Sequence, residues 1–121
     1  MTEKSIALRS RRDRGAGTVL AVTMTWALLT VTLAALVLGS AVLASHRARL
    51  AADLAALAAA SQTQTGGSTG QACAEAGRVA ALNGAALSSC SVEGSDVLLV
   101  VSVDVGVTGQ ATARSRAGPP R

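Results

Sequence analysis

The side chains that could take part in chemistry are few: one histidine, two cysteines, seven carboxylates and eleven basic residues in a chain of 121. General acid–base catalysis needs a histidine or carboxylate within reach of a second polar group. His46 lies between an apolar run and the basic residues Arg47 and Arg49, which favours an interfacial, anchoring role. The serines fall mostly in predicted linkers and turns. We therefore predict no catalytic residues, no enzymatic activity, no cofactor and no small-molecule substrate.

The two cysteines, Cys73 and Cys90, favour a structural role. Their spacing differs from the Cys-x-x-Cys of redox sites, and a zinc site would need more ligands than two thiols and the distant His46. A disulfide between them would close a loop of about 18 residues and contribute roughly 3 kcal/mol in the chain-entropy model. We predict this disulfide, in an oxidising compartment, and no metal site.

Two further polar features have simple structural interpretations. The uncharged segment 61–71, SQTQTGGSTGQ, lacks the G-x-x-x-x-G-K-[ST] spacing and the lysine of a phosphate-binding loop, so we predict a flexible linker. Asp53 follows Arg49 by four positions on a predicted helix, where an ion pair would contribute a few tenths of a kcal/mol. A polar contact of Asp53 with a neighbouring helix in an assembly is the alternative.

An apolar segment, residues 15–45, precedes all of these features and contains no acidic, basic or histidine residue over 31 positions. About 20 apolar residues in a helix cross the hydrocarbon core of a bilayer, and buried helices or signal-peptide cores are usually shorter. The chain has one aromatic residue, Trp26, so it lacks the bulky side chains of a typical soluble core. We predict a transmembrane helix over 15–45.

The charge distribution sets the orientation of that helix. Residues 1–14 carry five basic and two acidic side chains, a net of +3 within a chain total of +4, so residues 15–121 hold only +1. This balance predicts no nucleic-acid partner. Because positive flanks remain inside, we predict a single-pass protein of the cell membrane with a basic cytoplasmic leader, 1–14, and an extracellular C-terminal domain.

The Ala-rich segment 46–60 continues the predicted helix beyond the membrane. It places Leu50, Leu54 and Leu57 on one narrow stripe. Small residues four positions apart, which permit close approach of helix backbones in membranes, occur just before it. These helix-packing candidates are Ala35, Gly39, Ala41, Ser45, Leu50, Asp53, Leu54 and Leu57.

Residues 72–117 predict a small exported α+β domain, followed by a short tail at 118–121. A helix from Cys73 should stop at Asn83-Gly84. Apolar residues at every second position from Val97 to Val105 predict a strand whose opposite face grows polar toward its end, and the imperfect alternation over 87–93 predicts a first strand before it. Segment 110–118, QATARSRAG, predicts a third, more polar edge strand. The predicted fold class is therefore α+β, with a long N-terminal transmembrane helix, a short helix and an antiparallel meander.

Together the block RGAGTVL at 14–20, the apolar segment and RARLAADLAALAAA at 47–60 resemble TadE/TadG-like proteins of the tight-adherence (Flp-type) pilus and secretion machinery. The Cys-containing domain resembles in particular the small TadE-like proteins encoded beside helicase and secretion genes in high-GC Gram-positive bacteria. The resemblance implies a pseudopilin-like structural component whose partners are the membrane and other Tad or pilin-like proteins, met through helix packing.

The resemblance also implies a prepilin peptidase site between Gly15 and Ala16. Cleaved members usually carry Glu five positions after the cut, where this chain has Leu20. The departure favours an uncleaved anchor over a processed fibre subunit.

A different class stays open: signal peptidase could cut after Ala44 and release a small binding domain. Val42 and Ala44 suit such a site, although the apolar run is about twice the usual length.

Overall fold

The computed structural model describes the backbone of residues 2–120 and the side chains of residues 15–107 and 109–120. The side chains of the predicted basic leader, 1–14, and the last residue of the tail, Arg121, therefore lie outside the described part. The chain divides into two compact units, and the boundary between them in the sequence lies between Leu38 and Gly39. The elements in chain order are α1 (Thr2–Gln64), α2 (Thr69–Leu82), β1 (Ala86–Glu93), β2 (Asp96–Asp104), a short 3-10 helix (Gly106–Thr108) and β3 (Gln110–Ala117).

In the first unit, the side chains of α1 from Val19 to Leu38 are uncharged and exposed, and apart from four threonines they are apolar. Its β-branched threonines do not interrupt the helix, because their hydroxyls donate to carbonyls of the preceding turn. Thr25 Oγ1 donates to the carbonyl of Ala21 at 2.8 Å, and Thr18 Oγ1 donates to that of Gly15 at 2.9 Å. Helix α1 is long and apolar enough to cross a membrane.

The second unit begins inside the predicted membrane segment 15–45 and contains the C-terminal part of α1, both cysteines and the sheet. Its fold is α+β, as the sequence predicts. Three strands pair antiparallel in the order β1-β2-β3. The central strand alternates strictly, with Val97, Leu99, Val101 and Val103 buried on one face. The pairing of the edge strand β1 with β2 shifts register between Leu87 and Ser89, so β1 is irregular at this point.

Segment 61–71, which we predicted to be a flexible linker, is mostly helical in the structure. Helix α1 extends to Gln64, and α2 already begins at Thr69. The reason is local hydrogen bonding. Ser68 and Gln71 form a reciprocal capping box that starts α2, with Gln71 N–H donating to Ser68 Oγ at 3.2 Å and Ser68 N–H donating to Gln71 Oε1 at 2.9 Å. Gly66, at φ +85°, lies in the turn between the two helices, in a conformation that favours glycine.

Helix α2 ends at the predicted stop signal. Asn83 caps it, and its side-chain amide donates to the carbonyl of Val79 at 2.8 Å. Gly84 follows at φ +72°, a conformation that favours glycine and turns the chain toward β1. The predicted disulfide between Cys73 on α2 and Cys90 on β1 is present, with Cα atoms 5.9 Å apart.

The core of the second unit is built mostly from alanine. The largest fully buried side chains are Leu99, Val97 and Val101 of β2. Small side chains let both helices lie close to the sheet, so a thin core can still be closely packed. The alanines that join this single cluster are Ala44, Ala48, Ala51, Ala52, Ala55, Ala56, Ala59 and Ala60 on α1, Ala72, Ala76 and Ala80 on α2, and Ala85 and Ala113.

Candidate assembly surface

The part of α1 that belongs to the second unit has two different faces. Its alanines at helical spacing, such as Ala48, Ala52 and Ala55, are fully buried against α2 and the sheet. Sequence reasoning treated these alanines as helix formers and missed their role as a packing face. The available signal was their recurrence every three or four positions, which is the spacing of one helix face.

The predicted leucine stripe lies outside that buried face. Leu50, Leu54 and Leu57 are 57 %, 39 % and 62 % exposed, respectively. A leucine side chain gains about 1.5–3 kcal/mol on complete burial, so three of them on one helix face form a surface suited to association. The structure thus brings the three leucines onto one face and leaves that face open.

The predicted small-residue pairs also lie at the surface. Ala35, Gly39 and Ser45 are exposed, and Ala41 is half-buried. A Cβ atom added at Gly39 would meet nothing within 4 Å among the described residues. These positions therefore leave room for another helix to approach the backbone of α1.

Asp53 takes a different partner from the predicted one. We expected an ion pair with Arg49, but Oδ1 of Asp53 accepts a hydrogen bond of 2.8 Å from Oγ of Ser115 on β3. The sequence could not indicate this partner, because the two residues are 62 positions apart. The bond ties α1 to the edge strand of the sheet.

A histidine and two arginines follow the apolar run on α1. His46, Arg47 and Arg49 are all exposed. Arg49 lines a crevice together with Asp53 and Arg114. This position, directly after the uncharged segment, suits the headgroup layer of a membrane.

Two ion pairs lie elsewhere on the second unit. Nε of Arg116 donates to Oδ2 of Asp96 at 2.9 Å, and this hydrogen bond is the main cause of a raised pKa of Arg116. On α2, Arg78 forms two bonds with Glu75, at 2.5 and 3.0 Å. The hydrogen bonds from Arg78 are the main cause of a lowered pKa of the Glu75 carboxyl; desolvation opposes them, and the charge of Arg78 adds a smaller lowering effect.

The candidate processing positions fall in both units. Gly15, Ala16 and Leu20 are exposed and helical. Ala44, the last residue before the alternative signal-peptidase cut, is 7 % exposed and helical, and it joins the core of the second unit. Cleavage there would remove a core side chain and the preceding helix from the folded domain.

The sheet surface that faces away from the helices holds a shallow depression of about 480 Å³. Its lining includes Ser89, Ser91, Leu98, Val100, Arg114 and Arg116. Nucleophilic use of a serine requires a neighbouring general base, and the lining contains no histidine or carboxylate. Among the residues whose side chains are described, no group of three or more histidine, cysteine, aspartate or glutamate side chains could hold a metal ion.

None of the protein-family models, curated proteins or solved structures with which the chain was compared matches it. The resemblance to TadE-like proteins therefore stays a prediction from the residues.

Proposed function

We propose that this chain is a single-pass, pseudopilin-like structural component of a Tad/Flp-type pilus assembly or secretion system. The observation that carries the proposal is the exposed leucine stripe of α1, opposite an alanine face that the chain's own domain already covers. A helix with one occupied face and one open apolar face can pack laterally against a second helix while it carries a folded domain.

The membrane part of the proposal follows from exposed apolar surface. The described side chains from Val19 to Leu38 are exposed in the chain. Exposure of so large and mainly apolar a surface to water is energetically unfavourable. Lipid or neighbouring helices would cover it. The proposed partners are accordingly the bilayer and other Tad or pilin-like proteins.

The proposed orientation places the basic leader in the cytoplasm and the second unit outside the cell. The leader's net charge of +3 supports this direction. The disulfide between Cys73 and Cys90 also suits an oxidising exterior.

In the proposed mechanism, the chain remains an uncleaved anchor. The position that usually holds glutamate in processed relatives is Leu20, so no carboxylate stands there to neutralise a new N-terminal amine. Lateral packing then relies on leucine burial and on close approach at Gly39 and the other small residues.

Mass spectrometry of the N-terminus tests processing and destination. We expect the full-length chain in carbonate-washed membranes, whereas a product starting at Ala16 would show prepilin cleavage. Recovery solely as a soluble fragment starting at Ser45 would contradict the proposal and favour the secreted binding domain.

Photo-crosslinking tests the proposed partner class. A benzophenone amino acid at Leu54 should yield adducts that mass spectrometry identifies as membrane proteins with a pilin-like N-terminal helix. The matched control is the same probe at Ala74, an exposed position on α2. Adducts at Ala74 alone, or none at Leu54, would contradict lateral packing through the leucine stripe.

A further inference from the structure

The turn between β2 and β3 presents an apolar side chain at its tip. Val107 is 103 % exposed, the highest fraction among the large apolar side chains that the structure describes. The turn is held by its own hydrogen bonds: Asp104 Oδ1 accepts from the N–H of Gly106 at 3.0 Å, and the N–H of Val105 donates to the carbonyl of Gly109 at 2.8 Å. Val107 is therefore presented to the surroundings on a defined turn.

The base of this turn lies beside the N-terminal end of the second unit. Val103, Asp104 and Val105 line a crevice together with Ser40, Leu43, Ala44 and Arg47 of α1. Ser40, Leu43 and Ala44 belong to the uncharged run that ends at Ser45. The turn thus lies level with residues that the proposed membrane placement assigns to the bilayer.

The length of the uncharged run indicates how deep residues 40–44 and the neighbouring turn lie in the bilayer. A hydrocarbon core of about 30 Å takes about 20 helical residues at 1.5 Å each. The run has 31 residues, so its outermost positions extend into the headgroup layers. Residues 40–44 then lie at the outer boundary between acyl chains and headgroups, and the turn lies beside them.

The composition of the two sheet turns agrees with this placement. Segment 105–110, VGVTGQ, has no charged residue and is flanked by one carboxylate, Asp104, which accepts a hydrogen bond from the turn, whereas the β1–β2 turn is flanked by two, Glu93 and Asp96. Antiparallel pairing puts the two turns at opposite ends of the sheet. The uncharged turn is the one beside the apolar helix, and Arg47 in the same crevice can meet a lipid phosphate.

We propose that the β2–β3 turn is a second membrane contact, with Val107 inserted at the boundary between headgroups and acyl chains of the outer leaflet. The inference rests on the membrane placement of the proposed function. The contact restrains the second unit against the bilayer surface and leaves its leucine stripe available to a neighbouring helix.

Tryptophan fluorescence in lipid vesicles tests the inference. The full chain carries Val107→Trp with Trp26→Phe, in vesicles of phosphatidylcholine and phosphatidylglycerol with a nitroxide near the headgroup end of the acyl chain. The matched control is Ser95→Trp in the same background, at the opposite turn. We expect a blue-shifted emission for the Val107 variant and a roughly twofold or greater excess of quenching over the control.

Equal quenching of the two variants would overturn the inference. So would a blue shift of the Val107 variant without lipid quenching, because that result would mean a protein neighbour covers the turn. Trp26 in the natural chain reports the membrane placement separately: with nitroxides deep in the bilayer it should be quenched, and its failure to respond would defeat the proposed function itself.

A second measurement avoids substitution at the turn. In lipid bicelles, the backbone amide signal of Val107 in the natural chain should broaden when nitroxide lipids are added, while that of Ser95 should not. Broadening absent from Val107 would overturn the inference even if the tryptophan variant misfolded.

Discussion

The hydroxyl of Ser115 on β3 donates a hydrogen bond of 2.8 Å to Oδ1 of Asp53 on α1. Asp53 is exposed and stands next to the buried Ala52 on the helix. The bond therefore joins the border of the alanine face of α1 to β3. The alanines of that face are buried in the core, and the leucine stripe lies on the exposed side of the helix.

Substitution of Asp53 or Ser115 by alanine should destabilise the second unit moderately. We expect each change to lower the free energy of unfolding by about 1 kcal/mol, because the bond is exposed but one partner is a carboxylate. The double variant should lose less than the sum of the two. Denaturant unfolding in detergent micelles measures the losses, with Ser91→Ala at an exposed position on β1 as control. Strict additivity would contradict a direct coupling.

The neighbouring leucines of β2 should differ strongly in their contribution to stability. Leu99 is 2 % exposed in the core, whereas Leu98 is half-buried on the opposite face of the sheet. We expect Leu99→Ala to lower the free energy of unfolding by about 2–5 kcal/mol, since it leaves a cavity in a thin core. Leu98→Ala should cost about 1 kcal/mol or less. Similar losses in thermal unfolding would show that the assignment of the two faces is wrong.

The disulfide should account for a large share of the stability of the second unit. Cys73 and Cys90 close an 18-residue loop, which corresponds to about 3 kcal/mol in the chain-entropy model. A reductant should therefore lower the unfolding midpoint of the natural chain. The double variant Cys73→Ala/Cys90→Ala should start near that lower midpoint and not respond to reductant. A natural chain with the same midpoint in both conditions would contradict this prediction.

The features that the sequence predicted correctly are those with a local pattern. The alternation from Val97 to Val103 needs only the two-residue period of a strand. The helix stop at Asn83-Gly84 needs only the conformational freedom of glycine. The disulfide followed from having two cysteines with no plausible metal or redox use.

The features that the sequence did not predict depend on tertiary contacts, or on residues whose type hardly distinguishes one structural role from another. Buried alanines such as Ala55 differ little in hydropathy from an exposed helix former, so their packing face did not stand out. The segment before Ser68 looked like coil because its polar residues are typical of linkers, although they also cap helices. Ser115 as the partner of Asp53 required the fold itself. The leucine stripe was predicted, but its exposure depends on where the domain packs.

The ion pair on α2 should shift the titration of Glu75. Hydrogen bonds from Arg78 lower the pKa of its carboxyl in the folded chain relative to the ordinary value of the unfolded chain. The pair's contribution to stability is thus present above the ordinary pKa and is lost as pH falls through the lowered one. NMR titration should show Arg78→Gln raising the pKa of Glu75, with Arg114→Gln as control. An unchanged midpoint would contradict the pairing.

The two faces of α1 should respond in opposite ways to adjacent substitutions. Ala55 is fully buried, so Ala55→Leu overfills the core and should lower the free energy of unfolding by about 1–3 kcal/mol. Leu54 lies on the open stripe, so Leu54→Ala should change unfolding by much less.

Association with a neighbouring helix should depend on Leu54, although unfolding should depend on it much less. Because Leu54 would be buried against a neighbouring helix, Leu54→Ala should reduce the yield of crosslinked pilin-like partners when the benzophenone probe is placed at Leu57 instead. Leu82→Ala, a leucine exposed at the end of α2, is the matched control and should leave that yield unchanged. If Leu54→Ala destabilises the chain as much as Ala55→Leu, or if both leucine variants reduce the crosslinked yield equally, the open stripe is not the surface through which this helix associates.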